Sequence, residues 1–247
     1  AEKGDARAQT ELGRRYFQGD EVEENFQEAV KWWRKAAEQG GDSAQYNLGW
    51  MYSNGKGVEQ NAKEAVKLFR KSAMQGNAEA QHNLGIMYYN GRGVQEDYMT
   101  AYAWATIAIF NGQSIAEKIK AYTANKMTPA QTIRARELSK ELHKKIEANK
   151  SAKLGDVKAQ YEVGLSYYLG VEVEKDVKEA VQWYRKAAEQ GHAEAQYGLG
   201  VMYANGEGVP EDDKEAVQWT RKAAEQGLAK AQFNLGNRYA NGEGVPE

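Results

Sequence analysis

Apolar residues recur three to four positions apart over most of the chain, which is typical of amphipathic α-helices. One kind of series places Ala44, Leu48 and Tyr52 at i, i+4 and i+8. A second kind alternates aromatic and small side chains, as in Ala29, Trp32, Trp33, Ala36 and Ala37. The two kinds of series alternate along the sequence. The pattern therefore predicts pairs of helices, each pair a hairpin whose apolar sides must be covered by its neighbours.

The hydrophobic pattern belongs to an internal repeat. A motif of the form A-x-x-x-L-G-x-x-Y-x-x-G begins at Ala8, Ala44, Ala80, Ala159, Ala195 and Ala231, with valine replacing the leucine in the fourth copy. The glycine that closes each hairpin recurs every 36 residues, except for one interval of 43 residues between Gly112 and Gly155. A fixed period of this length indicates a linear array of stacked hairpins.

Three local signals set the predicted ends and contacts of the helices. Glycine inside a helix costs about 1 kcal/mol relative to alanine, so the repeated glycine of the Leu-Gly pair is expected to admit a neighbouring helix. The loop glycines, such as Gly55 and Gly91, are expected to end the first helix of a hairpin with positive φ. The second helix is expected to begin with a capping box, at Asn25–Glu28, Asn61–Glu64, Asp176–Glu179 and Asp212–Glu215.

Residues 113–154 depart from the repeat. Lys120 and Ala121 stand where the Leu-Gly pair is expected, and the glycine loop is missing. Thr128 as N-cap and Pro129 as first helical residue predict a long helix toward Lys150. Its predicted apolar side carries Ile133, Leu138, Leu142 and Ile146. We therefore expect a first array of three hairpins in 1–112, a divergent hinge or internal cap in 113–154, and a second array in 155–247 with two hairpins and part of a third.

The motif, the segment E-A-V-x-W and the closing A-A-E-Q-G (Ala36 to Gly40, Ala187 to Gly191) together resemble Sel1-like repeats, which are related to tetratricopeptide repeats. The resemblance implies an all-α, right-handed superhelical α/α solenoid. It also implies a non-enzymatic bacterial adaptor that binds a protein or peptide, in the periplasm or outside the cell, with the cytoplasm left open. One alternative is an immunity protein that neutralises a secreted toxin. A remote alternative is a hydrolase acting on cell-wall material or β-lactams.

Composition narrows the classes of partner and cofactor. The absence of cysteine excludes disulfides and thiolate metal sites, and a net charge of −2 argues against nucleic acid as the main partner. No apolar run reaches the ~18 residues of a membrane span. The Ser53-x-x-Lys56 spacing lacks the other motifs of serine β-lactamases. Glu79 and His82 lack a second such pair for a metal. No cofactor is therefore predicted.

Positions that vary between the repeats are free of the constraints of stacking and are the candidates for binding. In solenoids of this family the first helices line the concave face, so the resemblance places several variable positions there. The candidate partner-binding residues are Arg14, Tyr46, Asn47, Trp50, His82, Asn83, Tyr89, Tyr161, Glu162, Tyr168, Tyr197, Phe233 and Asn237. Rigid aromatic residues beside polar ones are suited to this task. Packing between helices remains an equal alternative for the position of Tyr46. Uncovered Leu235 and Tyr239 further predict weak end-to-end self-association.

Overall fold

The computed structural model describes residues 4–171, 173 and 175–243. In this part of the chain the regular elements are helices, and they form antiparallel hairpins stacked side by side. This confirms the predicted all-α solenoid. Contacts divide the chain into two units, unit 1 (Ala1–Glu147) and unit 2 (Ala148–Glu247). No helix within the described ranges combines the length and apolar character needed to cross a membrane.

Unit 1 contains three regular hairpins followed by a divergent end. The hairpins are α1 (Ala6–Gln18) with α2 (Phe26–Glu38), α3 (Asp42–Asn54) with α4 (Ala62–Met74), and α5 (Ala78–Asn90) with α6 (Tyr98–Phe110). A single 3₁₀ turn (Ser114–Ala116), α7 (Glu117–Ala124) and α8 (Pro129–Lys153) follow. Each second helix also packs on the first helix of the next hairpin, and α6 packs on α7. The division between the two units falls within α8, and the hinge role of this region stays a prediction.

Unit 2 repeats the same arrangement after α8. Its helices are α9 (Val157–Leu169), α10 (Val177–Glu189), α11 (Ala193–Asn205), α12 (Asp213–Glu225) and α13 (Ala229–Asn241). Helices α9 and α10 form one hairpin, α11 and α12 form the next, and α13 packs on α12. The buried side chains are again alanines, aromatic residues and leucines of facing helices, such as Ala187, Tyr184 and Leu199.

The turn within each hairpin follows the predicted chemistry in part. Gly55 ends α3 with φ 67°, and its N–H bonds to the carbonyl of Met51, as expected for a glycine C-cap. Asn61 then caps α4, because its side chain accepts from the N–H of Glu64 at 3.1 Å. The N–H of Asn61 itself donates to the carbonyl of Tyr52 at 2.9 Å. The motif tyrosine therefore supplies the acceptor that a capping box would draw from the glutamate.

The glycine of the Leu-Gly pair allows the second helix to approach closely, as predicted, at Gly13, Gly49, Gly85, Gly164 and Gly200. A Cβ at Gly164 would lie 2.7 Å from the ring of Tyr184, which is closer than packed atoms allow. A Cβ at Gly13 would lie 2.6 Å from the ring of Trp33. The glycine thus allows the aromatic ring to rest on the backbone of the first helix. Gly236 differs, since nothing lies within 4 Å of its Cβ position.

Buried glutamines connect successive hairpins. The side chain of Gln81 is fully buried and donates to the carbonyl of Ala73 at 3.0 Å. Its carbonyl oxygen accepts from the amide of Asn111 at 2.9 Å. Equivalent side-chain bonds of 2.7–2.8 Å span thirty residues at Gln39–Gln9, Gln75–Gln45, Gln190–Gln160 and Gln226–Gln196. These amides satisfy polar groups within the interfaces between helices, where an unpaired group would be costly.

The divergent helix α8 begins as predicted, but its buried side differs. Thr128 and Gln131 form a complete capping box, with bonds of 2.9 and 3.2 Å between side chain and backbone in both directions. Ile133, however, is 59% exposed, so its assignment to the apolar side was wrong. Ile133 precedes Leu142 by nine residues, which is about two and a half turns, and therefore points away from it. The buried positions of α8 are Ala135, Ser139, Leu142, Ile146 and Ala152.

Candidate functional site

The candidate residues lie on what we call the first-helix surface, the exposed side of α1, α3 and α5 in unit 1 and of α9, α11 and α13 in unit 2. Unit 1 contributes Arg14, Tyr46, Asn47, Trp50, His82, Asn83 and Tyr89, all of them half-buried. Unit 2 contributes Tyr161, Tyr168 and Tyr197, which are half-buried, and Glu162, Phe233 and Asn237, which are exposed. The members of each set differ in the contacts that their side chains make.

The Tyr46 position is engaged in contacts between helices. The ring of Tyr46 lies 6.0 Å from that of Phe69. Burial raises the pKa of its hydroxyl above the ordinary value, although a hydrogen bond with Asn83 opposes the shift. In unit 2 the hydroxyl of Tyr197 accepts from Asn234 at 2.7 Å. A tyrosine on one first helix thus meets an asparagine on the next, which is the packing role left open for this position.

The other members of this position differ in their surroundings. Tyr161 stacks on Tyr184 at 5.6 Å and on His192 at 4.7 Å. His82 has a buried Nδ1 atom without a hydrogen-bond partner, and desolvation lowers its pKa below the ordinary value. Phe233 is 69% exposed and makes no ring contact within the described ranges. At this position of the repeat, Phe233 is therefore accessible to a partner, whereas the ring of Tyr161 is occupied by contacts within the fold.

Trp50 sits on the first-helix surface as part of an aromatic cluster. Its ring meets that of Phe17 edge to face at 5.6 Å, and Phe17 also contacts Phe26 and Trp33, at 5.6 and 5.5 Å. The Nζ atom of Lys56 lies 5.4 Å from the centre of the Trp50 ring. One face of this indole is thus held by the fold, while the side chain remains half-exposed.

Two polar candidates beside Trp50 behave differently. Arg14 pairs with Glu11 at 2.6 Å and Asp20 at 3.2 Å, and its hydrogen bond lowers the pKa of the Glu11 carboxyl to about 2. Asn47 lies one turn before Trp50, and its side-chain amide makes no hydrogen bond with any described residue. Arg14 is therefore already neutralised by acids of its own hairpin, whereas Asn47 keeps its donors and acceptor for a ligand.

Tyr89 marks the other end of this surface in unit 1. Its ring lies 5.8 Å from that of Tyr98 and 6.3 Å from that of Tyr122, which is 54% exposed. The divergent helix α7 thus adds Tyr122 to the aromatic surface. Sequence reasoning missed Tyr122, because the residue lies outside the repeat and its position could not be compared between copies.

Sequence reasoning also missed the loop residue that follows each loop glycine. Lys56 reaches the ring of Phe26 in the preceding hairpin, at 5.1 Å. The guanidinium of Arg92 donates to the carbonyl oxygen of Ser53 in the preceding hairpin. In unit 2 Glu207 accepts from the hydroxyl of Tyr168 at 3.0 Å. The signal was present in the sequence as a variable position after each loop glycine, followed by a second glycine in four of the six copies.

The described residues contain no group of three His, Asp or Glu side chains that could hold a metal ion. Ser53 of the S-x-x-K spacing is buried, and no hydrogen bond joins its hydroxyl to Lys56 within the described ranges. A shallow, open depression in unit 2 is lined by one cation, Arg185, by Trp219, Tyr203 and Pro210, and by the acidic residues Glu189, Glu211, Asp212 and Glu215. Arg185 there already bonds to Tyr203 at 2.6 Å.

Comparison with solved structures found proteins with the same repeat. A protective antigen from uropathogenic Escherichia coli strains, described as displaying an SLR fold, is 37% identical over 98% of this chain, with a TM-score of 0.49. This chain spans 50% of that antigen. A Sel1 repeat protein from Oxalobacter formigenes is 32% identical over 99% of this chain and 80% of its own, with a TM-score of 0.44.

A more distant match is an immunity protein from Pseudomonas aeruginosa, 20% identical over 91% of this chain and 83% of its own, with a TM-score of 0.37. A search of curated proteins found no significant match. The sequence signature of the Sel1 repeat matches residues 6–41, 42–77, 78–109, 157–192, 193–228 and 229–247. These ranges coincide with the hairpins and omit the divergent segment. The chain belongs to the Sel1 repeat family.

Proposed function

We propose that this protein is a non-enzymatic scaffold, in which the first-helix surface of unit 1 binds a segment of a partner protein. Trp50 and Asn47 form the centre of the binding surface, and Tyr89 with Tyr122 extends it. An adaptor and an immunity protein are two biological uses of the same binding function. They differ in the identity of the partner and share the surface.

The observation that carries this proposal is the contrast between repeated and variable positions. The repeated residues are engaged in the contacts that hold the fold together. Gln81, Gly164 and Tyr52 are examples, with contacts between and within hairpins. At the variable positions around Trp50, by contrast, a rigid half-exposed indole stands beside an amide without a partner. Aromatic residues held in place by neighbours bind partners at low entropic cost, and tryptophan is enriched in binding hot spots.

The test is capture of partner proteins by the intact chain and by its Trp50→Ala variant. Trp219→Ala is the matched control, because it removes a half-buried indole from a second helix, where Lys222 lies 4.1 Å from its ring. We expect Trp50→Ala to lose capture of a specific partner by about tenfold or more. Trp219→Ala should retain capture.

Thermal melting of each variant separates binding from folding. Because Trp50 contacts Phe17, some loss of stability is expected in Trp50→Ala, and capture is therefore measured well below its melting temperature. Asn47→Ala, which breaks no hydrogen bond of the described fold, should weaken capture without lowering the melting temperature. Equal capture by Trp50→Ala, Asn47→Ala and the unaltered chain would contradict the proposal.

A further inference from the structure

We propose that the surface around Trp50 selects an acidic partner segment, in which an apolar side chain packs on Trp50 and neighbouring carboxylates pair with Lys56 and Arg92. This inference rests on the proposed function and adds the chemistry of the partner. It concerns two loop residues that neither the repeat pattern nor the family relationship assigns to binding.

The first observation is the placement of the two cations around one turn of α3. The Nζ atom of Lys56 lies 5.4 Å from the centre of the Trp50 ring. The guanidinium of Arg92 bonds to the carbonyl oxygen of Ser53, three residues after Trp50 on the same helix. Residues three apart on a helix are neighbours on its surface. Lys56 thus borders the Trp50 ring and Arg92 is held at the C-terminal turn of the same helix, so two successive loops bring two positive charges to this end of α3.

The second observation is that these charges are not neutralised by the fold. Within the described ranges neither Lys56 nor Arg92 forms an ion pair, and both side chains are exposed. Lys56 rests on the faces of Phe26 and Trp50, where a cation is attracted to the ring and keeps its charge. Arg92 uses one donor for Ser53 and has further donors available. Arg14, which its own hairpin pairs with Glu11 and Asp20, shows the contrasting case.

The third observation removes a structural explanation for the charges. A cation near the C-terminal end of a helix is favourable to that helix, so Lys56 and Arg92 could serve α3 and α5 alone. The same loop position in unit 2 carries Glu207, which follows the loop glycine Gly206 with φ 64°. The loop therefore forms with either sign of charge. The first hairpin of unit 1 has Asp20 at this position, so the positive charges belong to the loops of Lys56 and Arg92, where they match the carboxylates of a partner.

The experiment selects random peptides displayed on phage against the intact chain, against a Lys56→Glu/Arg92→Glu variant, and against Trp50→Ala. Glutamate is suited to the substitution because unit 2 has it at this position. We expect peptides selected by the unaltered chain to be enriched in Asp and Glu next to Leu, Phe or Trp. Their affinity should fall about tenfold in the charge-reversed variant and weaken as salt is raised.

Two further variants control the selection. Glu207→Lys changes the same loop position in unit 2 and should leave the selected peptides unchanged. Lys56→Gln/Arg92→Gln removes the charges without reversal, and serves in place of the double glutamate variant if that variant melts at a lower temperature. Peptides selected by the double glutamine variant should not be enriched in Asp and Glu.

The outcomes separate this inference from the proposed function. If the unaltered chain selects peptides no more acidic than the starting library, or selects basic ones, the acidic partner is wrong. If Trp50→Ala abolishes selection while charge reversal leaves the composition of the selected peptides unchanged, the binding surface is supported and its preference for acidic peptides is wrong. If Trp50→Ala selects the same peptides as the unaltered chain, the surface itself is misplaced.

Discussion

Gln75 donates a hydrogen bond from its side-chain amide to the side-chain oxygen of Gln45, thirty residues earlier, at 2.7 Å. Gln45 in turn donates to the carbonyl of Ala37 at 3.3 Å. One buried amide therefore joins three helices, α2, α3 and α4. The same arrangement recurs at Gln81, Gln160 and Gln196, so the specificity of stacking rests on polar bonds as well as on apolar contact.

Replacement of the fully buried member tests this role. Gln81→Leu should lower the free energy of unfolding by about 2 kcal/mol, because the side-chain amide of Asn111 loses its acceptor and the carbonyl of Ala73 loses one of its donors. Urea denaturation followed by circular dichroism measures the change. Gln95→Leu, at an exposed loop position of the same unit, should change stability by less than about 0.5 kcal/mol. Equal effects of the two substitutions would show that burial of the amide bonds is unimportant.

The glycine of the Leu-Gly pair permits a comparison within unit 2. Gly164→Ala should cost about 1–3 kcal/mol, since the new Cβ would lie 2.7 Å from the ring of Tyr184. Gly236→Ala meets no atom within 4 Å, and it should stabilise the chain by up to about 1 kcal/mol through helix propensity. Thermal melting of both variants checks the opposite signs. A loss of stability in both would mean that backbone conformation, and not the neighbouring ring, requires the glycine.

His82 should make the stability of unit 1 depend on pH. Burial lowers its pKa below the ordinary value of 6.5 in the folded state, so the unfolded chain takes up a proton at higher pH than the folded chain does. Stability is therefore full above about 6.5, falls as the pH drops below that value, and levels off below the folded pKa. Urea midpoints between neutral pH and about pH 5 measure this slope.

The control for this slope is taken from the chain itself. His82→Tyr introduces tyrosine, the residue that other copies of the repeat have at this position, for example as Tyr46 and Tyr161. A tyrosine side chain does not titrate in this pH range. The free energy of unfolding of this variant should fall less between neutral and acid pH than that of the unaltered chain. An unchanged decrease would assign the acid sensitivity to the carboxylates.

The capping box at the start of α8 should stabilise the divergent segment. Thr128→Ala removes the side-chain acceptor for the N–H of Gln131 and should cost about 1 kcal/mol. Faster hydrogen exchange in the first turn of α8 would locate the effect. Thr132→Ala is the control, since Thr132 bonds to the Thr128 carbonyl and caps no free N–H. Its exchange should remain close to that of the unaltered chain.

Sequence reasoning was successful wherever the signal was local. The glycine C-cap at Gly55, the N-caps at Asn61 and Thr128, and the close approach at Gly164 each depend on residues within a few positions or on a repeated pattern. Ile133 was misassigned because its spacing from Leu142 does not match the helical period. The role of Gln45 was missed because its side-chain partner Gln75 lies thirty residues away, although both glutamines recur in nearly every copy.

The candidate site could be predicted less fully than the fold. Variation between copies selected Trp50 and Asn47, which are half-buried on α3, and their part in binding stays a prediction. The same criterion also selected Tyr46 and Tyr161, which vary between copies and nevertheless pack on Phe69 and Tyr184. Variation thus shows which positions the repeat does not fix, but packing between particular pairs can still use them. Only the contacts of each side chain distinguish the two cases.

The contact of each loop with the preceding hairpin has a consequence for how such arrays can be lengthened. Lys56 faces Phe26, Arg92 faces the Ser53 carbonyl, and Glu207 faces the Tyr168 hydroxyl. In a tandem duplication of one hairpin, the second copy follows the first copy and not the hairpin that normally precedes it. The loop of the second copy therefore loses its contact with the matched residue of that hairpin. Duplication in blocks of two hairpins preserves one matched pair inside each block. A duplication of either length therefore creates one unmatched junction, and the longer block creates fewer unmatched junctions for each hairpin added.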